Sequence, residues 1–328
     1  MRTDTGRKIV EFIEKNQKVR VYDLVRQFKI SPVAIHKQLR KLVVQGQLEK
    51  IGRPPLVFYV KSRKEPSFLP RIAKEQLKKI NQSYLYISPR GEIIEGFLGF
   101  SRWAVDTKQE KYLERLVAEY IKTREMANKF INTSGWIDAL NKLKQTFKKI
   151  YAEGVFFQDF YSLPKFGKTK LGQLMLYAKQ SQKRNLMEEI IKMTKPFVEK
   201  VIKKFKIEAV IFIPPTVPRQ IQFMKELRYG LQISLPNLDL VKVYAGDVPV
   251  AQKTLVRLEE RIINARETIQ LKEKPRLFKR VLLIDDAVGS GATFNETAKK
   301  LKEEKMAKKV YALAIVGSFK GFDVIREI

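Results

Sequence analysis

Residues 279–301 read KRVLLIDDAVGSGATFNETAKKL. The apolar residues Val281, Leu282, Leu283 and Ile284 run into two aspartates, then a turn of small residues, then a segment of helical character. A short apolar run bounded by turn residues predicts a strand buried on both faces. The small side chains of Gly289, Ser290, Gly291 and Ala292 let backbone N–H groups converge on a ligand. A helix beginning near Phe294 adds the positive end of its dipole. The stretch therefore predicts a strand, an anion-binding turn and a helix in series.

The surrounding pattern fits that unit into a sheet. From about Leu186 an amphipathic helix, LMEEIIKMTKPFVEKVIKKF, precedes the apolar run IEAVIFIPP; LDLVKVY and KKVYALAIVGS follow as further strands. Strands alternating with helices predict an α/β domain with a mostly parallel sheet, which binds ligands at the carboxyl ends of its strands. Asp285 and Asp286 are placed at such an end. Adjacent carboxylates accept hydrogen bonds from vicinal hydroxyls, the groups a ribose offers. Gly289, Ser290, Gly291 and Ala292, with the helix end after Thr293, make a phosphate cradle. Together they describe a ribose 5-phosphate site.

The chain has 328 residues, which suggests two or three domains. It has no cysteine, so disulfides, thiolate nucleophiles and cysteine zinc sites are excluded. His36 is its one histidine, which removes most histidine-based catalysis and metal binding. The start has no signal-type apolar run and no stretch approaches a membrane span, so a soluble, cytoplasmic protein is expected. Net charge is +30, and residues 1–64 hold 16 basic against 5 acidic side chains. That excess is more than twice as dense as in the rest of the chain, and polyanions, above all nucleic acid, are its natural partners.

The basic segment has its own pattern. Ile9, Val10, Phe12 and Ile13 form one apolar stripe; Leu24, Val25 and Phe28 space a short second helix. Ser31 as N-cap and Pro32 at the first helical position open a third, with Ile35, Leu39, Leu42 and Val43 on its apolar face. QLEKI and LVFYV flank the turn GRPP. Three short helices and a hairpin with a basic tip resemble the winged helix-turn-helix fold of transcription regulators. That resemblance puts Ser31, Val33, Ala34, Lys37, Gln38 and Lys41 on the exposed front of a DNA-reading helix, with His36 and Arg40 beside them, and Arg53 at the wing tip. The same fold also docks proteins; the basic excess favours DNA.

Residues 65–150 read as a connector: a proline-containing linker, EPSFLPR, a small hairpin around Pro89-Arg90-Gly91, and helical periodicity through Leu113, Leu116, Val117 and Tyr120. They carry no evident chemistry. Gly167-Lys168-Thr169 mimics part of a P-loop, but the position five residues before Gly167 holds Ser162, not glycine, and no strand leads cleanly into it. It reads as a basic loop, one that could contact phosphate.

VLLIDDAVGSGAT closely resembles the motif by which type I phosphoribosyltransferases bind 5-phosphoribosyl 1-diphosphate (PRPP), with Ser290 in place of the usual threonine. Within that superfamily, FIPPTVPRQIQFMKEL and EERIINARETI are similar to segments of the ComF group, and the resemblance covers roughly residues 151–322. It implies a 5-phosphate loop of Ala287, Val288, Gly289, Ser290, Gly291, Ala292 and Thr293, a diphosphate loop at Pro214, Pro215, Thr216 and Arg219, and a mobile flap with Gln252, Arg261 and Asn264. It further implies Mg²⁺ bridging ligand oxygens, held by no side chains other than Asp285 and Asp286. The cysteine zinc ribbon usual in ComF proteins is replaced by the winged helix, and no hood for an acceptor base is evident.

The expected architecture is thus an N-terminal winged helix-turn-helix domain (1–64), a helical and hairpin connector (65–150), and a type I phosphoribosyltransferase-like, ComF-like parallel-sheet domain (151–328). The purine repressor of Gram-positive bacteria joins the two end modules in the same order. The expected function is a DNA-binding regulator with PRPP or a nucleotide as effector. Two alternatives stay open. One is an active phosphoribosyltransferase in which Asp285 and Asp286 stabilise the ribosyl transition state. The other is a ComF-like DNA-uptake or processing protein that binds single strands. A homodimer is compatible with the regulator.

Overall fold

The computed structural model describes residues 4–62, 72–272 and 277–318. The expected linker EPSFLPR and the C-terminal end of the ComF-like stretch lie outside the described residues. The chain divides into two compact units, residues 1–69 and 70–328.

The first unit contains α1 (Asp4–Asn16), α2 (Val21–Phe28), α3 (Pro32–Val44), β1 (Leu48–Arg53) and β2 (Leu56–Lys61). Ile9 and Ile13 of α1, Leu24 of α2, and Ile35, Leu39 and Leu42 of α3 close into one core with Leu48 and Tyr59 of the hairpin. These are among the positions picked out by helical spacing, and they form the face each helix turns to the others. β1 and β2 pair antiparallel, Leu48 opposite Lys61 and Arg53 opposite Leu56. Gly52 makes the turn possible: its φ is +86°, and a Cβ there would lie 2.1 Å from the Leu56 carbonyl oxygen.

The second unit begins with α4 (Lys74–Ser83), β3 (Leu85–Ile87), β4 (Ile93–Glu95), α5 (Gly96–Asp106), α6 (Leu113–Asn128), β5 (Ile137–Asp138) and α7 (Leu140–Thr146). It continues with β6 (Gly154–Phe160), β7 (Ser162–Leu163), β8 (Gly167–Lys168), α8 (Lys170–Ser181), α9 (Arg184–Phe205), β9 (Ala209–Phe212) and α10 (Phe223–Leu231). It closes with β10 (Leu240–Lys242), α11 (Leu258–Thr268), β11 (Ile269–Leu271), β12 (Phe278–Val288), α12 (Ala292–Glu303) and β13 (Ala307–Gly317).

The main sheet runs β5-β6-β13-β12-β9, parallel throughout except for the short β5. Alternate residues of its strands feed two cores. Val155, Phe157, Ile211, Val281, Leu283, Ala312 and Ala314 face one side; Phe156, Val210, Leu282, Ile284, Leu313 and Ile315 face the other. Helices α8, α9 and α10 cover the second face, giving the three-layer arrangement that a doubly buried parallel sheet requires.

Three expectations need correction. LDLVKVY is no strand of the main sheet: β10 pairs antiparallel with β11 in a separate ribbon. Just before it the chain makes a single bridge to the sheet edge, Asn237 beside Val210, with Val210 N donating to the Pro236 carbonyl and Leu238 N to the Val210 carbonyl. β6, for which the sequence reading identifies no strand, sits second from one edge, and Phe160 at its end leads into the β7–β8 hairpin. The Gly167-Lys168-Thr169 stretch is this hairpin and a helix cap, not a phosphate loop. Thr169 Oγ1 donates to the Phe160 carbonyl at 2.7 Å and accepts from Gly172 N at 3.0 Å, so its hydroxyl is fully engaged by backbone.

Residues 74–147 also do more than connect. Ile80, Tyr84, Phe100, Leu116, Val117, Tyr120 and Leu143 are buried in the same cluster as the first face of the sheet, while Trp136 lies buried against Phe156, Phe197 and Phe205 on the other.

Candidate ligand cleft and DNA-binding face

β12 pairs with β13 as far as Val288 but with β9 only to Ile284. Beyond Ile284 the strand has lost one neighbour, and a cleft of about 250 Å³ opens there. Asp285 and Asp286 stand at this parting of the strands, inside β12 and not beyond its end. The loop drawn from sequence as Ala287–Thr293 is shorter than expected. Ala287 and Val288 are still strand, Ala292 and Thr293 already helix, and Gly289, Ser290 and Gly291 make the turn. All seven line the cleft. Gly291 caps α12 at φ +80°. Ser290 is buried and its Oγ accepts from Ala292 N at 3.3 Å, fixing the turn beneath the first coil of α12.

The acids are held from several sides. Asp286 N donates to Asp285 Oδ1 at 2.7 Å, and Lys179 Nζ at the end of α8 donates to Asp286 Oδ2 at 2.7 Å. Lys242 Nζ of β10 donates to Thr216 Oγ1 in the segment after β9. Burial, then the neighbouring Asp286 charge, push the Asp285 carboxyl well above the usual carboxylate range. Burial pulls Lys242 down, opposed by the two aspartates. Asp285 and Asp286 both line the cleft, and these hydrogen bonds leave Asp285 Oδ2 and Asp286 Oδ1 unengaged among the described residues. Two open carboxylate oxygens beside a helix N-terminus can receive a diol and an anion together.

Pro214, Pro215, Thr216 and Arg219 line the same cleft immediately after β9, opposite the acids. Of the expected flap residues, Gln252 and Arg261 reach the cleft and Asn264 does not. The three brace one another instead. Gln252 Nε2 donates to the Arg261 carbonyl (2.9 Å) and to Asn264 Oδ1 (3.0 Å), and Arg261 Nε and Nη2 both donate to the Leu255 carbonyl at 2.9 and 2.8 Å. Lys179 and Lys242, which sequence reasoning missed, lie 107 and 44 residues before Asp286, a separation no local pattern bridges.

By their own side chains the acids offer Mg²⁺ no closed coordination set. Among the described residues no three His, Cys, Asp or Glu side chains come together as metal ligands. Asp286 Oδ2 is already held by the Lys179 ammonium group, and Lys242 lines the same cleft.

In the first unit, Ser31, Val33, His36, Lys37, Arg40, Lys41 and Arg53 are all exposed, whereas Ala34 and Gln38 are half-buried and so are poorer candidates for the reading face. Val33 is 79% exposed and Val44, about three turns further along the same side, 82%. Ser31 Oγ accepts from Ala34 N at 3.3 Å, the cap that starts α3.

Comparison with known proteins agrees with both halves. Residues 174–328 match the PRTase-CE family and residues 6–52 the DeoR-like helix-turn-helix domain. No curated protein matches the chain. Similar solved structures include a hypoxanthine phosphoribosyltransferase from Staphylococcus aureus, at 13% identity over 43% of this chain and 70% of that one, with a TM-score of 0.26. A hypoxanthine-guanine phosphoribosyltransferase from Bacillus anthracis follows at 14% identity, 43% and 75% coverage and TM-score 0.27. A purine phosphoribosyltransferase from Pyrococcus horikoshii shows 16% identity, 42% and 94% coverage and TM-score 0.23. The chain carries a DeoR-like helix-turn-helix domain and a phosphoribosyltransferase-like PRTase-CE domain.

Proposed function

We propose that a chain joining these two domains is a DNA-binding regulator of the cytoplasm whose cleft takes PRPP or a nucleotide as effector. The observation that carries the reading is the cleft itself: diol-accepting oxygens of Asp285 and Asp286 lie beside the Gly289–Gly291 turn and the start of α12. The exposed basic side of α3 supplies the output. An effector that binds one global state more tightly than another changes DNA affinity by its coupling free energy, about 1–3 kcal/mol in typical systems.

Fluorescence anisotropy on labelled duplex, with and without saturating PRPP or nucleotide, tests this directly. Effector is expected to shift the duplex Kd by about 5- to 150-fold. Unshifted affinity accompanied by diphosphate release supports a transferase instead, and tighter binding of single than double strands supports a DNA-processing role.

The docking face makes its own prediction. Lys37→Gln and Lys41→Gln are each expected to weaken duplex binding and to lower the slope of log K against log salt by about 1 per lost phosphate contact. Slopes equal to the parent protein's retire α3 as the docking element.

A further inference from the structure

Resting on the reading of the cleft as a phosphoribosyl site, we infer that it binds its ligand without a divalent metal, with Lys179 and Lys242 supplying the countercharge that a metal ion would otherwise bring.

Four observations converge. Lys179 Nζ sits 2.7 Å from Asp286 Oδ2, so an ammonium group already engages one oxygen of the acidic pair. Lys242 is tied to Thr216 in the segment facing the acids and is close enough to feel both of their charges. The two lysines arrive from different elements, α8 and β10, so two distant parts of the chain bring cations to the cleft that holds the acids. Finally, the cleft is cationic as a whole: Lys179, Arg219, Lys242, Lys253 and Arg261 line it against Asp285 and Asp286 alone.

A divalent cation entering here would meet ammonium groups at short range in a partly desolvated space, where like charges repel strongly. A polyanionic ligand meets the opposite situation. Its 5-phosphate finds the turn and the helix end, its diol finds Asp285 Oδ2 and Asp286 Oδ1, and a phosphate group at C1 finds the lysines and Arg219. A flexible ammonium is a point charge that can follow such a group without demanding octahedral geometry. Two ammonium groups match the charge of one divalent ion but form no coordination bond to the leaving oxygen, so diphosphate departure loses Lewis-acid help, and the cleft suits retention of ligand over turnover.

Isothermal titration of the full chain with PRPP, once in millimolar MgCl₂ and once in EDTA, decides the matter. The expected result is a Kd in EDTA within about threefold of that in Mg²⁺. Lys179→Met and Lys242→Met are each expected to weaken binding in EDTA at least tenfold, whereas Lys179→Arg keeps most of it; thermal unfolding of each variant verifies that it folds. Binding seen only with Mg²⁺ overturns the inference and leaves the phosphoribosyl reading standing. Binding in neither buffer overturns both. If the methionine variants bind as the parent does in EDTA, the lysines are merely structural and the inference fails.

Discussion

Gly291→Val is expected to abolish PRPP binding and to destabilise the second unit by about 2–5 kcal/mol, combining left-handed strain with overpacking. The backbone at Gly291 has φ +80°, a region a β-branched residue adopts only under strain. A Cβ at this point would lie 2.8 Å from Leu143 Cδ2 and 2.9 Å from Cγ, and Leu143 is itself fully buried in the cluster that also holds Ile137 and Phe147. The turn therefore cannot move backwards, and forwards it closes the space a phosphate would take. Titration with PRPP and denaturant unfolding check both effects. A Leu143→Ala partner should restore part of the stability lost in Gly291→Ala, since it removes the contact but not the strained φ. A Gly291→Val protein as stable as the parent and still binding PRPP would show that the turn is not the anion cradle.

Asp285→Asn should act in opposite directions on stability and on binding. The folded-state pKa of Asp285 is raised, to about 8, chiefly by burial and next by Asp286. An acid whose folded pKa lies above its unfolded value near 3.9 binds more protons in the native state, so its ionisation costs stability as pH climbs between the two values. The asparagine variant escapes that cost. It is expected to match the parent near pH 4 and to exceed it by roughly 1–3 kcal/mol above pH 8. That is less than the full shift implies, because the carboxylate opens on a cleft and has Lys179 and Lys242 nearby. The same change removes an anionic acceptor for a hydroxyl and should weaken PRPP binding about 10- to 100-fold. Thermal unfolding across pH 4–9 beside titration at pH 8 tests the pair. Loss of stability at high pH, or unchanged affinity, would remove Asp285 from its assigned position.

Much of this was legible in the linear chain because it depends on local periodicity. Ile35, Leu39 and Leu42 recur at helical spacing and are buried together, and Ser31-Pro32 announces the start of α3. Val281 to Ile284 form a run that only a doubly covered strand accommodates, and all four are buried. Less legible was the length of the phosphate turn, since a strand ends where its partner leaves it: β12 continues to Val288 because β13 accompanies it that far. LDLVKVY has strand character, yet whether it joins the sheet or a separate ribbon depends on which edge it meets.

The order of apolar and small residues was enough to determine the helix-hairpin head, the strand carrying Asp285 and Asp286, and the glycine turn after them, because spacing and side-chain size act within one or two turns of chain. Only tertiary structure decided that α7 seals the back of that turn through Leu143, and that Lys179 and Lys242 stand beside the acids. Those charges are set by the packing of α8 and β10 around the sheet, a long-range arrangement whose electrostatic consequence appears only when distant segments share a poorly solvated cleft.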